Sequence, residues 1–382
     1  MKPQKFQPSG WDDRPAREER NQIMRHVKFP AFLLALSMLF TLTACKPAAA
    51  DQSSEPSQEA PATAAPSQEP SAGVSPSLAD DETPDVRLAV LSGPTGVGAA
   101  KLLDDANNHS TANRMGYAYT IASDNSELVA GLTGPDPEFD IATVASNVAL
   151  NLYNKTDGGV QIIAVGTLGV LHILESGGKT EINSMGDLAG KTVYAAGQGA
   201  NPEYVLRYLL RENRLDDVEV VFADASEISA KLISGEIECA MLPVPAATAA
   251  IMKSEGKVRQ AIDLTEAWDS LRSGSQLIMT AVVVRTQFAQ DHPERVAGFL
   301  ADYEASIDYV NSNVDAAAEL VAGLGITPSA PIAKQAIPQC HLAFLSGMDM
   351  VAAISDYYSV LYSIDPASVG GSLPDDGIYW TE

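Results

Sequence analysis

The sequence predicts an α/β fold of two doubly wound lobes. Three observations carry the prediction. From residue 86 onward, apolar runs of strand length alternate with runs of helix length. That order builds parallel sheets covered by helices. A strand–turn–helix unit occurs twice, at 86–103 and 190–210. The stretch 85–382 is 298 residues long, more than one hydrophobic core usually holds.

The second unit reads GKTVYAAGQGANPEYVLRYLL over 190–210. Residues 192–196 suit a buried strand, and Gly197, Gln198 and Gly199 end it. Asn201 is a good helix N-cap, and Pro202 fits the first helical position, where its missing N–H costs nothing. Val205, Leu206, Leu209 and Leu210 then share one face. In the first unit, 86–91 is a strand, 92–96 (SGPTG) a turn and 97–103 a helix start. Such a turn offers free N–H groups at a helix N-terminus, a ready polar or anion-binding rim. The alternative reading is an ordinary βα turn, which any open parallel sheet contains.

The remaining elements follow in order. Strands are predicted at 117–122, 139–144, 160–165 and 170–174, with helices at 125–132 and 146–154. A short turn at 184–189 precedes strands at 192–196, 218–222, 239–242 and 258–263, with helices between them. A long apolar strand is predicted at 277–284. From His292 the pattern is helical, at 293–313, 314–324, 328–335 and 349–364. This tail implies a wrap back onto an earlier lobe.

The first 84 residues read as an address. Residues 29–42 are an apolar run of fourteen, short for a membrane span and right for the core of a signal peptide. The run ends Leu42-Thr43-Ala44-Cys45, which resembles a bacterial lipobox. Residues 1–44 are therefore expected to be a signal peptide, with Cys45 lipidated. Met24 begins a compact basic segment and is the expected start of translation. Residues 46–84 are rich in Pro, Ser and acidic residues and hold no aromatic. They cannot bury a core and should form a disordered tether.

Composition narrows the chemistry. The net charge is −24, which argues against a nucleic-acid partner. Gly93 and Gly98 have P-loop spacing, but Ala99 and Ala100 follow where Lys and Ser/Thr are needed. None of the five His lies three or four residues from another His or from a Cys, so no local metal site is expected. No G-x-S-x-G elbow occurs, and no catalytic residues or cofactor are expected. Cys239 and Cys340 are expected to remain free, buried thiols.

Several segments together carry a family resemblance. They are 88–96 (LAVLSGPTG), 127–131 ahead of 139–142, 185–193 (MGDLAGKTV), 235–240 and 292–295 ahead of a helix. In this order, behind a lipobox, the chain resembles the substrate-binding lipoproteins of bacterial ABC importers. Within them it is similar to the nitrate, sulfonate, taurine and thiamine-precursor class. The resemblance implies a type II periplasmic-binding fold. Lobe one would hold 85–174 and 277–382, lobe two 175–276, with crossovers at 170–174 and 277–284. It further implies a monomer anchored to the membrane by lipid, outside the cytoplasm, with a small organic solute and ABC permease subunits as partners.

Turns after parallel strands point to one sheet edge, which gives the candidate ligand residues. Lobe one supplies Pro94, Thr95, Gly96 and Val97, then Thr143, Ala145, Ser146 and Asn147. Lobe two supplies Gly197, Gly199, Ala200 and Asn201, then Pro243 and Val244, with Gln276 as a hinge-side donor. Each also fits a purely structural turn or cap. These turns carry no Lys or Arg, which favours a neutral or singly anionic solute. Tyr153, Tyr204 and Trp268 are candidates for stacking on an aromatic ligand. The leading function is a solute receptor. An enzyme like the thiamine-pyrimidine synthases of the wider family, using His172, is the alternative, and a sensing or adhesion lipoprotein is the third.

Overall fold

The computed structural model describes residues 83–271 and 274–381, and the expectations for the signal peptide, Met24, Cys45 and the tether lie outside them. The first strand shows why the chain starts as it does. In β1 (Val86–Leu91), Val86, Leu88, Ala89 and Val90 are all at most 1 % exposed. A strand buried on both faces needs neighbours on both edges. It pairs in parallel with β2 (Tyr117–Ala122) and with β3 (Ile141–Ala145). Crossovers of this kind need helices. They are α1 (Pro94–Asn107) and α2 (Asn125–Thr133), with α3 (Ser146–Lys155) following β3.

After β4 (Val160–Thr167) the chain crosses to a second sheet through β5 (Leu171–Glu175). There follow β6 (Thr192–Ala195), α4 (Asn201–Glu212), β7 (Glu219–Phe222), α5 (Ala225–Ser234) and β8 (Cys239–Pro243). Then come α6 (Ala246–Lys253), β9 (Arg259–Asp263) and α7 (Leu264–Ser270). The chain returns as β10 (Thr280–Arg285) and continues through α8 (Thr286–Asp291), α9 (Pro293–Ser312), α10 (Val314–Gly323) and α11 (Ala330–Ala336). It ends with β11 (Leu342–Leu345) and α12 (Gly347–Ile364).

The six-stranded sheet has the order β11-β4-β10-β3-β1-β2, and the five-stranded sheet β7-β6-β8-β5-β9. The two sheets and their helices are called the first and second lobe below. The sheets are mixed, which corrects the expectation of purely parallel ones. The return strand β10 runs antiparallel to both β3 and β4, and β5 runs antiparallel to β8 and β9. The strand predicted at 277–284 begins only at Thr280. The carbonyls of Ile278 and Met279 accept bonds from Ser146 and Asn201 instead. The helical tail packs on the first lobe, where α9 lies against α1 and α12 against β4, and it also reaches the second lobe, where α12 meets α4 and α11 meets α6. The edge strand β11 is an addition to the expected elements: it is four residues long, too short for a period to mark it, and meets β4 at two register positions.

A charged knot fixes the far side of the first sheet. Asp140, 4 % exposed, accepts from the backbone N–H and Nε of Arg87 and from Nη2 of Arg285. Burial alone would raise its pKa, but these hydrogen bonds outweigh it and hold the carboxyl below its ordinary value. Cys239 and Cys340 are free and buried, and burial pushes both thiols up to about 12. Among the described residues no helix is long and apolar enough to cross a membrane.

Candidate functional site

The parallel strands of both sheets end at the gap between the lobes, and small residues let the backbone turn there. Gly93, with φ at +102°, ends the β1 turn and is the N-cap of α1. A side chain is strained in that conformation. Gly197, with φ at +93°, turns the chain before α4, where an added Cβ would lie 2.7 Å from the Pro202 ring. The N-cap of α4 is Ala200, not Asn201 as expected, and Asn201 is the first helical residue.

Two cavities lie between the lobes. The larger, about 850 Å³, is lined from the first lobe by Ser92, Ser123, Asp124 and Val148. From the second lobe come Tyr194, the 197–200 turn, Phe222, Asp224 and Lys231. The smaller, about 620 Å³, lies between Gly93–Pro94 and the helices α5 and α6. Ala225, Ile233, Val244, Ala249, Ile326 and Pro328 make it largely apolar, with Lys253 at its rim. Both cavities touch Ser92 and Ser123, so they are two ends of one cleft. Their size suits a small organic ligand.

The candidate residues divide into three groups. Pro94, Gly197, Gly199, Ala200, Pro243 and Val244 line the two cavities. Thr95, Gly96, Val97 and Thr143 lie buried just behind the wall. The Thr95 hydroxyl donates to the Leu91 carbonyl at 2.7 Å, and Thr143 Oγ1 accepts from the Leu91 N–H at 3.0 Å. Ala145, Ser146, Asn147 and Asn201 form the third group. The Ala145 N–H donates to the Asn125 side chain, and Ser146, Asn147 and Asn201 bond to one another. At that end, the protein's own side chains fill the gap. Gln276 stands apart, in a recess with Leu345, Asp349 and Asp356.

Tyr153, Tyr204 and Trp268 line neither cavity. Trp268 is fully buried, with Nε1 bonded to the Ser275 carbonyl. The aromatic residues at the larger cavity are Tyr194 and Phe222. Ser123 and Asp124 were reachable by the rule used for the other turns, since they follow the parallel strand β2. Ile326 and Pro328 arrive from the tail, and no local signal marks them.

The cleft's charge also differs from that of its turns. Asp124, Asp224 and Glu227 face the larger cavity together with one cation, Lys231, which pairs with Glu227 at 2.8 Å. Asp124 is an N-cap whose pKa is lowered by the bonds it accepts from Ser126 and the Glu127 N–H. Among the described residues Lys253 has no ion pair.

His172 lies in β5, 2 % exposed, with no hydrogen-bond partner for either ring nitrogen. Burial lowers its pKa, against the opposing pull of Asp263 at 3.7 Å. It lines neither cavity. Glu175, Glu181 and Glu238 bring carboxylate oxygens within 4.8 Å of one another. Arg259 already pairs with Glu175, and Lys179 with Glu238, so this group carries its own cations.

Residues 140–317 match the family model described as NMT1/THI5 like. No curated protein matches the chain by sequence. An ABC transporter structure from Parabacteroides distasonis has 23 % identity and a TM-score of 0.63, over 78 % of this chain and 99 % of that one. The periplasmic aliphatic sulphonate binding protein SsuA from Escherichia coli has 17 % identity and a TM-score of 0.60, over 78 % and 92 %. The alkanesulfonate-binding protein SsuA from Xanthomonas axonopodis pv. citri, bound to MOPS, has 12 % identity and a TM-score of 0.59, over 78 % and 98 %. The chain is similar to these proteins in fold, which is that of the periplasmic binding proteins.

Proposed function

We propose that this protein is the solute-binding receptor of an ABC importer, held outside the cytoplasm by a lipid on Cys45. The single observation behind the reading is the cleft, with walls from both sheets at the ends of their parallel strands. Closure of two lobes around such a gap traps a small molecule. Similarity to sulfonate-binding proteins and to an ABC transporter protein supports the same reading.

The acidic lining disfavours a multiply charged anion in the larger cavity. A neutral, hydrogen-bonding solute with an apolar portion suits the two halves of the cleft. This narrows the expectation from the turns alone, which allowed a single negative charge. An enzymatic role through His172 has less support, because that side chain is buried away from both cavities.

A thermal-shift screen tests the reading. Sulfonates, nitrate, pyrimidines, flavins and amino acids are each added to the purified chain. A ligand at 1,000 times its Kd stabilises the fold by about 4 kcal/mol. At about 2–4 °C per kcal/mol, a true ligand shifts Tm visibly. A screen in which no small solute moves Tm would sink the proposal.

A further inference from the structure

Asn201 is the first residue of α4 and is fully buried. Its Nδ2 donates to Ser146 Oγ at 2.8 Å and to the Met279 carbonyl at 2.6 Å. Its Oδ1 accepts the Asn147 backbone N–H at 3.3 Å. All three partners belong to the first lobe, while α4 belongs to the second. The partners are themselves fixed. Ser146 Oγ donates to the Ile278 carbonyl at 2.7 Å, and the Tyr358 hydroxyl donates to the Ser146 carbonyl at 2.8 Å. Further along α4, Arg211 Nη1 donates to the Ser363 carbonyl of α12 at 3.0 Å. These contacts share one flank of the molecule, formed by α3, α4 and α12. The larger cavity borders this flank through Val148 of α3 and the 197–200 turn, and both cavities extend from it toward α1, α2, α5 and α6.

We propose that Asn201 is a latch that ties α4 of the second lobe to α3 and the 278–279 segment of the first and keeps that flank shut. Only a carboxamide meets the three partners at once, since it supplies donors for a carbonyl and a hydroxyl and an acceptor for an amide. A carboxylate at this position sets an acceptor against the Met279 carbonyl. A residue that merely starts a helix obeys the opposite rule. Asp in the first turn is favoured there by the helix dipole. Asn201→Asp therefore separates the two roles.

The experiment compares Asn201→Asp with the unaltered full chain, by Tm and amide hydrogen exchange at pH 7.5 and pH 5. The latch predicts a lower Tm at pH 7.5. Exchange over 145–149 and 278–280 should quicken about tenfold or more, since at least one buried hydrogen bond is lost. Exchange in α5 should not change. At pH 5 the difference from the unaltered chain should shrink, because a protonated carboxyl regains a donor for the Met279 carbonyl. The groups facing position 201 do not titrate in this window: Ser146, Asn147 and Met279 carry no charge, and burial raises the Tyr357 and Tyr358 hydroxyls far above it. On the same helix, Glu203 is paired with Arg207 and the Gly199 N–H.

An Asn201→Asp chain as stable as the unaltered one at pH 7.5, or a loss that acid does not reduce, overturns the latch. Should that variant fail to fold, the unaltered chain and Ser146→Ala decide. The Asn147 amide must exchange more slowly than amides of the 123–127 turn, and Ser146→Ala must quicken it. Equal rates overturn the proposal. The latch does not depend on the receptor reading. A silent thermal-shift screen beside an intact latch signature removes the receptor and leaves the latch.

Discussion

Trp268 of the second lobe packs against Tyr357 of the first, with ring centroids 5.6 Å apart and planes inclined by 46°. Tyr208 also packs on the indole, with ring centroids 4.6 Å apart. All three side chains are buried, so this contact joins the lobes away from the cleft. Trp268→Ala leaves a void between them, and removal of a buried Trp costs about 3–5 kcal/mol. Tm should fall by about 2–4 °C for each of these. Trp268→Phe keeps one ring there and loses the bond to Ser275 and part of the buried indole volume, so its Tm should lie between the two. An unchanged Tm for Trp268→Ala would show that the stack contributes nothing.

Ala249 lines the apolar end of the cleft and is half-buried on α6. Ala249→Trp should fill that cavity without disturbing the sheet behind it. Tm without ligand should stay within about 2–4 °C of the original, a change of about 1 kcal/mol, because the added ring enters open cleft space and not the packed core. The ligand-induced shift should disappear. A retained shift would place the solute elsewhere.

The Asp140 knot predicts a pH dependence. The folded-state pKa is lowered, so the pair contributes fully above the ordinary Asp value of about 4. That contribution is lost as the pH falls through the lowered value. Asp140→Asn should cost about 2 kcal/mol at pH 7, discounted because Arg87 is partly exposed. The gap between variant and original should close below about pH 4. Urea unfolding across pH 3–7 measures it.

Gly166 lies where β4 passes the fully buried Tyr303. A Cβ at position 166 would sit 2.2 Å from the Tyr303 hydroxyl oxygen. The ring has no free space to enter, so Gly166→Ala should destabilise by about 1–3 kcal/mol. Gly178 has open space around it and serves as a packing control, although its φ of +67° adds backbone strain.

Cys239 and Cys340 should resist thiol reagents in the folded protein, because burial both hides the sulfur and suppresses the thiolate. Ellman's reagent should find neither thiol in native buffer and both in denaturant. Fast native labelling at either would contradict the packing described.

Much of the architecture was legible because it is local. The glycines at 93 and 197 announce tight turns, and Pro94 and Pro202 announce helix starts. Strand burial shows as an uninterrupted apolar run, as in 281–284. The cleft was harder to read. Each turn points to the sheet edge, but the sequence does not say which side chains turn back to the backbone, as Thr95 does.

By itself, the sequence determined the alternation of strands and helices, the two-lobed plan and the small-residue turns. These follow from apolar periodicity and from the backbone freedom of Gly and Pro, which act between near neighbours. Tertiary structure alone decided that β10 returns antiparallel and that the 326–328 loop walls the cleft. It alone brought Asn201 to Ser146 across 55 positions of chain. Such pairings depend on how two lobes meet, and no local pattern encodes a meeting of surfaces.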